Sequence, residues 1–153
     1  MKPGWLTRAW ALTLLALMVA GCPVGPRRVA LGEDTKVGVF TYRVLTVQWQ
    51  DQIGRGDKAV APDVRFYVVY LTVTNNGSEP LPFPRARLVD ASGREYEESP
   101  KARQRGIGLG SLQAMSPGFT LNGSLVFDVP PGAYILILSD GNKGEASFAL
   151  PHQ

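Results

Sequence analysis

Residues 64–74 restrict the fold of this sequence more than any other segment, because apolar side chains occupy both sets of alternating positions. In an extended chain, one face would carry Tyr67, Val69, Leu71 and Val73, and the other Phe66, Val68, Tyr70, Thr72 and Thr74. Aromatic and β-branched residues favour strands. Alternation with two largely apolar faces is typical of a strand covered on both sides. The segment therefore predicts a central strand of a β-protein.

Shorter segments of the same two-residue period recur along the chain, separated by turn-forming residues. Strands are predicted within 38–47, 86–91, 95–97, 119–129, 133–138 and 145–150, turns at 75–78, 90–93, 116–118, 130–132 and 140–144, and irregular loops at 51–63 and 99–110. No convincing helical pattern occurs outside the N-terminal segment. Seven or eight short strands with this spacing predict an antiparallel sandwich or barrel.

The first 21 residues have the pattern of a signal peptide for export. Lys2 and Arg8 supply the positive charge, and an apolar stretch of twelve residues, 9–20, ends in small side chains. Twelve helical residues reach about 18 Å, which is shorter than the ~30 Å hydrocarbon core of a bilayer. We therefore expect residues 1–21 to form a cleaved signal helix and not a stable membrane span.

Cys22 is the single cysteine and directly follows this segment. The pattern Val19-Ala20-Gly21-Cys22 resembles the lipobox of bacterial lipoproteins. The resemblance implies cleavage between Gly21 and Cys22, acylation of the Cys22 sulfur by membrane lipid with palmitate-like chains, and a domain held outside the cytoplasm at the cell membrane or the outer membrane. An ordinary signal peptide followed by an incidental cysteine is the alternative.

Cleavage would leave a nearly neutral chain, because 14 basic and 13 acidic side chains remain once Lys2 and Arg8 are removed. No Lys- and Arg-rich block with interleaved aromatic residues remains, so we expect no nucleic-acid partner. Residues 22–35 contain prolines, glycines and charges without a regular period, and they predict a lipidated N-terminus and flexible tether. Residues 36–153 then form one domain.

Four runs of sequence carry a resemblance to a known family: residues 70–81, 88–96, 121–130 and 138–141. In order and spacing they resemble a domain of unknown function that is common in bacterial lipoproteins. The resemblance implies an immunoglobulin-like β-sandwich, similar to a secreted mycobacterial immunoprotective antigen, without established catalytic activity. The loop 99–110 does not align with this pattern, and the family supplies no binding residues to transfer.

Residues for catalysis or metal binding are sparse. His152 is the only histidine and lies next to the C-terminus, where chains are commonly mobile. Glu97 and Glu98 are adjacent, so a strand would place them on opposite faces, and with Glu95 they are interpreted as solvating an edge. No cluster of His, Cys or Met suits copper or zinc. We therefore expect no enzyme activity, catalytic residue, metal or cofactor.

Three side chains are candidates for contact with a partner: Trp49, Leu81 and Phe83. Leu81 and Phe83 alternate with prolines, which hold a segment extended and suit a groove, although both could instead cover the bottom of the sandwich. The favoured function is a membrane-anchored, non-catalytic module that binds an envelope protein or glycan or serves an accessory role in the cell envelope. The alternative is an inhibitor or chaperone-like sandwich that acts on exported proteins through its loops or a strand edge.

Overall fold

The computed structural model describes residues 27–152, which form two β-sheets packed around one main core. The strands are β1 (Arg27–Val29), β2 (Thr35–Val37), β3 (Phe40–Gln50), β4 (Phe66–Asn75), β5 (Arg87–Asp90), β6 (Glu95–Glu97), β7 (Thr120–Asp128), β8 (Tyr134–Ser139) and β9 (Glu145–Ala149). One short helix, α1 (Pro100–Gln104), follows β6, and 3₁₀ turns lie at Gly56–Lys58 and Leu109–Ser111. In this part of the chain no helix is long and apolar enough to cross a membrane.

The first sheet has the strand order β1-β9-β8-β5-β6, and the second has the order β2-β3-β4-β7. Every pairing is antiparallel except that of β1 with β9. The immunoglobulin-like β-sandwich expected from the sequence is confirmed. The described strands number nine, against the seven or eight expected, because β1 and β2 are short pairings outside the clear alternating segments.

Strand β4 lies between β3 and β7, as its two apolar faces predicted. On its inner face Tyr67, Val69, Leu71 and Val73 are completely buried. They belong to the same core cluster as Leu136 and Phe148 of the opposite sheet. Burial of such side chains contributes roughly 1.5–3 kcal/mol each, so this layer between the sheets is the main source of stability.

Ordered structure begins earlier than the predicted tether allows. We expected a flexible tether over residues 22–35, but Arg27–Val29 is already a strand that pairs in parallel with β9. Val29 is only 7% exposed and lies in the main core, so burial of its side chain stabilises the pairing of β1 with β9. Thr35 then begins β2. The residues before Arg27, and Gln153, are outside the described part of the chain.

The predicted tight turn after β4 has a different structure. No residue in 75–78 has a positive φ. Asn75 is fully buried, and its Nδ2 donates to the carbonyl oxygens of Glu79 and Met115, both at 2.9 Å. Its Oδ1 accepts from the Gly77 N–H at 2.9 Å. The segment thus carries the chain from the second sheet towards the first instead of closing a hairpin.

The two predicted loops, 51–63 and 99–110, together cover part of the outer face of the second sheet. We call the buried side chains there the outer cluster: Ile53, Phe66, Val68, Ala102 and Val126. Residues 99–110 are therefore not an irregular loop throughout, since α1 forms within them. Ser99 caps this helix through its Oγ, which accepts from the Ala102 N–H at 3.4 Å, and Pro100 occupies the first turn.

Polar contacts tie these two segments to each other. Lys101 Nζ lies 2.5 Å from Asp63 Oδ1, and Arg105 Nη1 donates to the carbonyl oxygen of Asp57 at 3.1 Å. Both contacts are exposed, so each adds little stability by itself. Their role is to fix α1 over the loop, which positions the residues on either side of the helix.

Candidate functional site: a cleft beside Glu98

Glu98 directly follows the edge strand β6, at the point where the chain leaves the first sheet. The side chains of Glu95 and Glu97 are exposed, as expected for an edge. Glu98 is not: it is only 6% exposed. Since positions i and i+2 share a face of a strand, Glu98 continues the side of Tyr96, whose ring contacts Tyr134 at 5.8 Å. The interpretation of Glu98 as a solvating edge residue is therefore wrong.

The next residues hold Glu98 between the two sheets. The Ser99 N–H donates to the carbonyl oxygen of Val126 in β7 at 2.7 Å, so the chain crosses from one sheet to the other here. The N–H of Gly110 hydrogen-bonds to the Glu98 carboxyl. A Cβ at Gly110 would lie 2.5 Å from Oε1 and 2.6 Å from Oε2, so the missing side chain makes room for the carboxyl.

The Glu98 carboxyl is not fully satisfied by the protein. Its Oε2 is buried and has no hydrogen-bond partner in the structure. Burial raises the pKa of Glu98 to about 7, although the positive charge of Arg103 and the Gly110 N–H oppose this rise. A buried acceptor without a partner costs roughly 1–3 kcal/mol, which a ligand with a hydrogen-bond donor would recover.

A cleft of about 240 Å³ opens beside this carboxyl. Its lining comprises Arg85, Ala86, Arg87, Glu95, Glu97, Glu98 and Arg103. The lining thus contains both positive and negative side chains: three arginines, whose guanidinium groups donate hydrogen bonds, and three glutamates, whose carboxyl groups accept them. Such a lining is suited to binding polar groups through charge-assisted hydrogen bonds.

The three arginines of the cleft differ in how far they are already engaged. Arg87 forms a bidentate pair with Glu145, with N···O distances of 2.8 and 3.1 Å, and also lies 3.1 Å from Glu95. Arg85 lies 3.8 Å from Glu97. Arg103 takes part in no ion pair within 4 Å among the residues that the structure describes. Arg103 is therefore the guanidinium most available to an anionic group on a ligand.

Trp49 lies elsewhere, near the end of β3. Its ring packs on Tyr67 with centroids 4.4 Å apart, and the guanidinium carbon of Arg65 lies 5.7 Å from its centroid. The side chain is half-buried against the main core. This environment gives Trp49 a packing role, and it does not line the Glu98 cleft.

Leu81 and Phe83 also lie apart from the cleft. Leu81 exchanges two backbone hydrogen bonds with Met115, at 3.1 and 2.7 Å. Phe83 is 9% exposed, and its ring meets Tyr42 edge-on at 6.3 Å. These positions favour the alternative that both side chains cover the core, because a buried Phe83 is not accessible to a partner. The structure brings Trp49, Leu81 and Phe83 to no common surface.

The remaining candidate residues, Gly21, Cys22 and His152, lie near the two ends of the sequence. Gly21 and Cys22 lie outside the described residues. His152 is exposed and is the last of the described residues. Within residues 27–152, no three His, Cys, Asp or Glu side chains are grouped so that they could hold a metal ion.

Comparison with known sequences gives one family. A sequence profile described as "Domain of unknown function (DUF4352)" matches residues 29–145, more than half of the chain. This range includes strands of both sheets and the residues that line the Glu98 cleft. No curated protein matches the sequence significantly.

Several solved structures are similar to this one. The secreted protein MPT63 from Mycobacterium tuberculosis aligns with a TM-score of 0.60 and 15% identity, over 82% of this chain and 98% of that chain. The yjhA protein from Bacillus subtilis aligns with a TM-score of 0.57 and 18% identity, over 80% and 98%. An uncharacterized β-sandwich protein from Clostridium difficile 630 gives 0.56 and 11%, over 83% and 95%. At these identities the similarity establishes the fold alone.

Proposed function

We propose a lipid-anchored, non-catalytic binding role in the bacterial cell envelope for this chain, which belongs to the DUF4352 family of domains of unknown function. The signal-like segment 1–21 and the lipobox-like Val19-Ala20-Gly21-Cys22 support the anchor. Similarity to a protein that is described as secreted supports export. The buried, unpartnered Oε2 of Glu98 is the observation that carries the binding role.

The start of the fold is compatible with a lipid anchor. The sandwich begins at Arg27, five residues after Cys22, so acylation of Cys22 requires no change in a described strand or in the core. One acyl chain binds a membrane only marginally, whereas several chains anchor a protein stably at about 0.8 kcal/mol per buried methylene. Attachment of diacylglycerol and a further acyl chain would therefore hold the domain at the surface.

Metabolic labelling with an alkyne analogue of palmitate, followed by membrane fractionation, tests the anchor. We expect the wild-type protein to be labelled and to sediment with membranes, and Cys22→Ala to lose both properties. Val24→Ala is the matched control, because it changes a neighbouring side chain and leaves the thiol in place. Labelling and membrane association that persist in Cys22→Ala would exclude Cys22 as the anchor.

The Glu98 cleft supports binding more than chemistry. Its lining contains no Ser, Cys, His or Lys, so carboxyl groups are its only candidate nucleophiles. Two of its three glutamates, Glu95 and Glu97, lie next to arginines. The ligand group that fits best presents an N–H or O–H to Glu98 and a negative charge to Arg103. Such groups occur on envelope proteins and on acidic glycans.

Photo-crosslinking in the intact cell tests this binding role on the anchored protein. A benzoylphenylalanine at the exposed position of Glu97 should give a defined adduct, whereas one at the exposed Ser92, outside the cleft lining, should not. In the same background Glu98→Gln should remove the adduct, because the amide places an NH₂ donor where the Glu98 Oε2 accepts, and the exposed Glu79→Gln should retain it. An adduct that is absent, or equally strong in Glu98→Gln, would contradict binding at this cleft.

The terminal strands of the two sheets give little support to the inhibitor or chaperone-like alternative, although β2 pairs with only the first three residues of β3. Of the four described edge strands, β1, β2 and β6 have three residues each. The fourth, β7, has nine, but Ser99 hydrogen-bonds to it at Val126 and Leu109 packs against Gly123. Partner strands add to long, bare edges, so the covered β7 is a poor template.

A further inference from the structure

One end of the sandwich gathers four turns around the point where the chain enters the fold. Arg27 pairs with Ala146, which closely follows the turn 140–144. Gly38 lies against this turn, since a Cβ at Gly38 would be 2.6 Å from Asp140 Cβ. We call this end, comprising the turns at 38–39, 75–79, 116–119 and 140–144, the anchor end.

Hydrogen bonds join the other turns to the same end. The Asn76 N–H donates to the carbonyl oxygen of Val39 at 2.8 Å, and the Asn75 N–H donates to that of Phe119 at 3.2 Å. Gly118 N–H donates back to the Asn75 carbonyl at 2.7 Å. The backbone beside Val39 and Phe119 is therefore held in place.

The length of chain between Cys22 and Arg27 limits how far this end can lie from an acylated Cys22. Five residues span at most about 18 Å when fully extended. The ten residues of β4, which run from the far end to the anchor end, extend about 33 Å. A lipid-anchored chain thus keeps the anchor end close to the bilayer, while the opposite end can lie far from it.

This end carries exposed apolar side chains. Phe119 is 62% exposed and Val39 38% exposed, and Phe119 is the most exposed of the large apolar side chains in the described chain. The four turns contain three charged side chains, Glu79, Asp140 and Lys143, so their net charge is only −1 and repels an anionic lipid surface little. Transfer of an exposed phenylalanine ring from water to an apolar environment is favourable, and a bilayer held within reach provides an apolar environment.

We propose that the anchor end rests on the lipid bilayer, with Phe119 and Val39 inserted at its interface. This inference rests on the proposed lipid anchor at Cys22. Contact at two points, the acyl chains and this apolar end, would fix the orientation of the sandwich on the membrane.

The orientation can be measured on the full acylated protein in vesicles of phosphatidylethanolamine and phosphatidylglycerol. Cys22 is the single cysteine of the chain, and acylation leaves it no free thiol. Each of the variants Phe119→Cys, Val39→Cys and Ser92→Cys therefore has one site for the environment-sensitive dye NBD. Flotation of the vesicles first establishes that the protein is anchored. Quenching by nitroxide-labelled lipids then reports which labels contact the bilayer.

We expect NBD at positions 119 and 39 to shift to shorter wavelengths and to be quenched at least threefold more than NBD at position 92. Equal and weak quenching at all three positions in vesicle-bound protein would overturn the proposed orientation and leave the anchor intact. Failure of the unlabelled protein to float with vesicles would remove the anchor and with it this inference. Since Val39 and Phe119 are labelled separately, misfolding of one variant does not remove the test.

Discussion

The backbone N–H of Gly110 donates a hydrogen bond to the buried carboxyl of Glu98. This contact joins the end of β6 to the 3₁₀ turn Leu109–Ser111, so one side chain organises the eleven residues between Glu98 and Gly110. The Glu98 side chain also lines the cleft that we propose as a binding site. Changes at Glu98 or Gly110 should therefore alter both the stability of this region and the binding of a ligand.

The ionisation of Glu98 should make the protein less stable as the pH rises. Its folded pKa of about 7 is higher than the ordinary value of 4.5 because burial disfavours the charge. The folded state thus binds more protons than the unfolded state between these values. Stability is fully retained below about pH 4.5, falls as the pH rises towards 7, and stays reduced above it; a shift of this size corresponds to roughly 3 kcal/mol.

Urea unfolding of the soluble chain without residues 1–21, at several pH values between 4 and 8.5, tests this expectation. The amide that Glu98→Gln introduces cannot ionise. The free energy of unfolding of this variant, minus that of the wild type, should therefore increase as the pH rises. The charged groups around Glu98, which include Arg85, Arg87, Arg103, Glu95 and Glu97, are present in both proteins and largely cancel in the difference. A difference that does not vary with pH would show that Glu98 ionises normally.

Replacement of Gly110 by alanine should disturb the same contact by crowding. The new Cβ would lie 2.5 Å from Oε1 and 2.6 Å from Oε2, so the Glu98 carboxyl would have to leave its buried position beside the Gly110 N–H. We expect a loss of about 1–3 kcal/mol in the free energy of unfolding, as for other overpacked sites. Gly132→Ala is the control, because its nearest neighbour would be Tyr134 at 3.6 Å. Equal stability of the two variants would mean that Glu98 moves aside freely.

Much of the sandwich can be predicted from β4 alone. Its alternating pattern predicted the central position and divided its side chains into two faces, and the structure shows that the face with Tyr67, Val69, Leu71 and Val73 is the inner one. Glu98 also had a signal in the sequence: it is two residues beyond Tyr96 and so shares its inward side. That signal is weak because glutamate is rarely buried.

The outer cluster could not be predicted in this way. The sequence showed that Phe66 and Val68 are apolar, but it did not show what covers them. The cover comes from Ile53 and Ala102, which are far apart in the chain and lie in segments without a strand period. Ser99-Pro100 is a local signal for the start of a helix, yet the helix of five residues is stable only through these tertiary contacts.

Ile53 provides a test of whether the loop 51–63 is part of the folded unit. It is 6% exposed in the outer cluster and exchanges backbone hydrogen bonds with Val60 at 3.0 and 2.8 Å. We expect Ile53→Ala to lower the free energy of unfolding by about 2–4 kcal/mol, and trypsin to cleave faster at the exposed Arg55 and Lys58. Val64→Ala, at a side chain that is 59% exposed, should change neither result. Unchanged cleavage in Ile53→Ala would mean that the loop is held independently of the cluster.

Asn75 should tolerate no loss of its amide, although aspartate has nearly the same shape. Its Nδ2 donates to two carbonyl oxygens in a fully buried site, and a carboxylate there would face both oxygens without a donor. We expect Asn75→Asp to lower the free energy of unfolding by about 3 kcal/mol or more at pH 7, given roughly 1–3 kcal/mol for each buried group left unpaired. The loss should be smaller near pH 4, because a protonated carboxyl can donate one of the two bonds.

Asn142→Asp is the control, because Asn142 lies in an exposed turn and its backbone N–H, not its side chain, donates to Asp140. This variant should remain within about 0.5 kcal/mol of the wild type. Similar urea midpoints for the two variants at pH 7 would show that the Asn75 amide does not hold the crossing between the sheets.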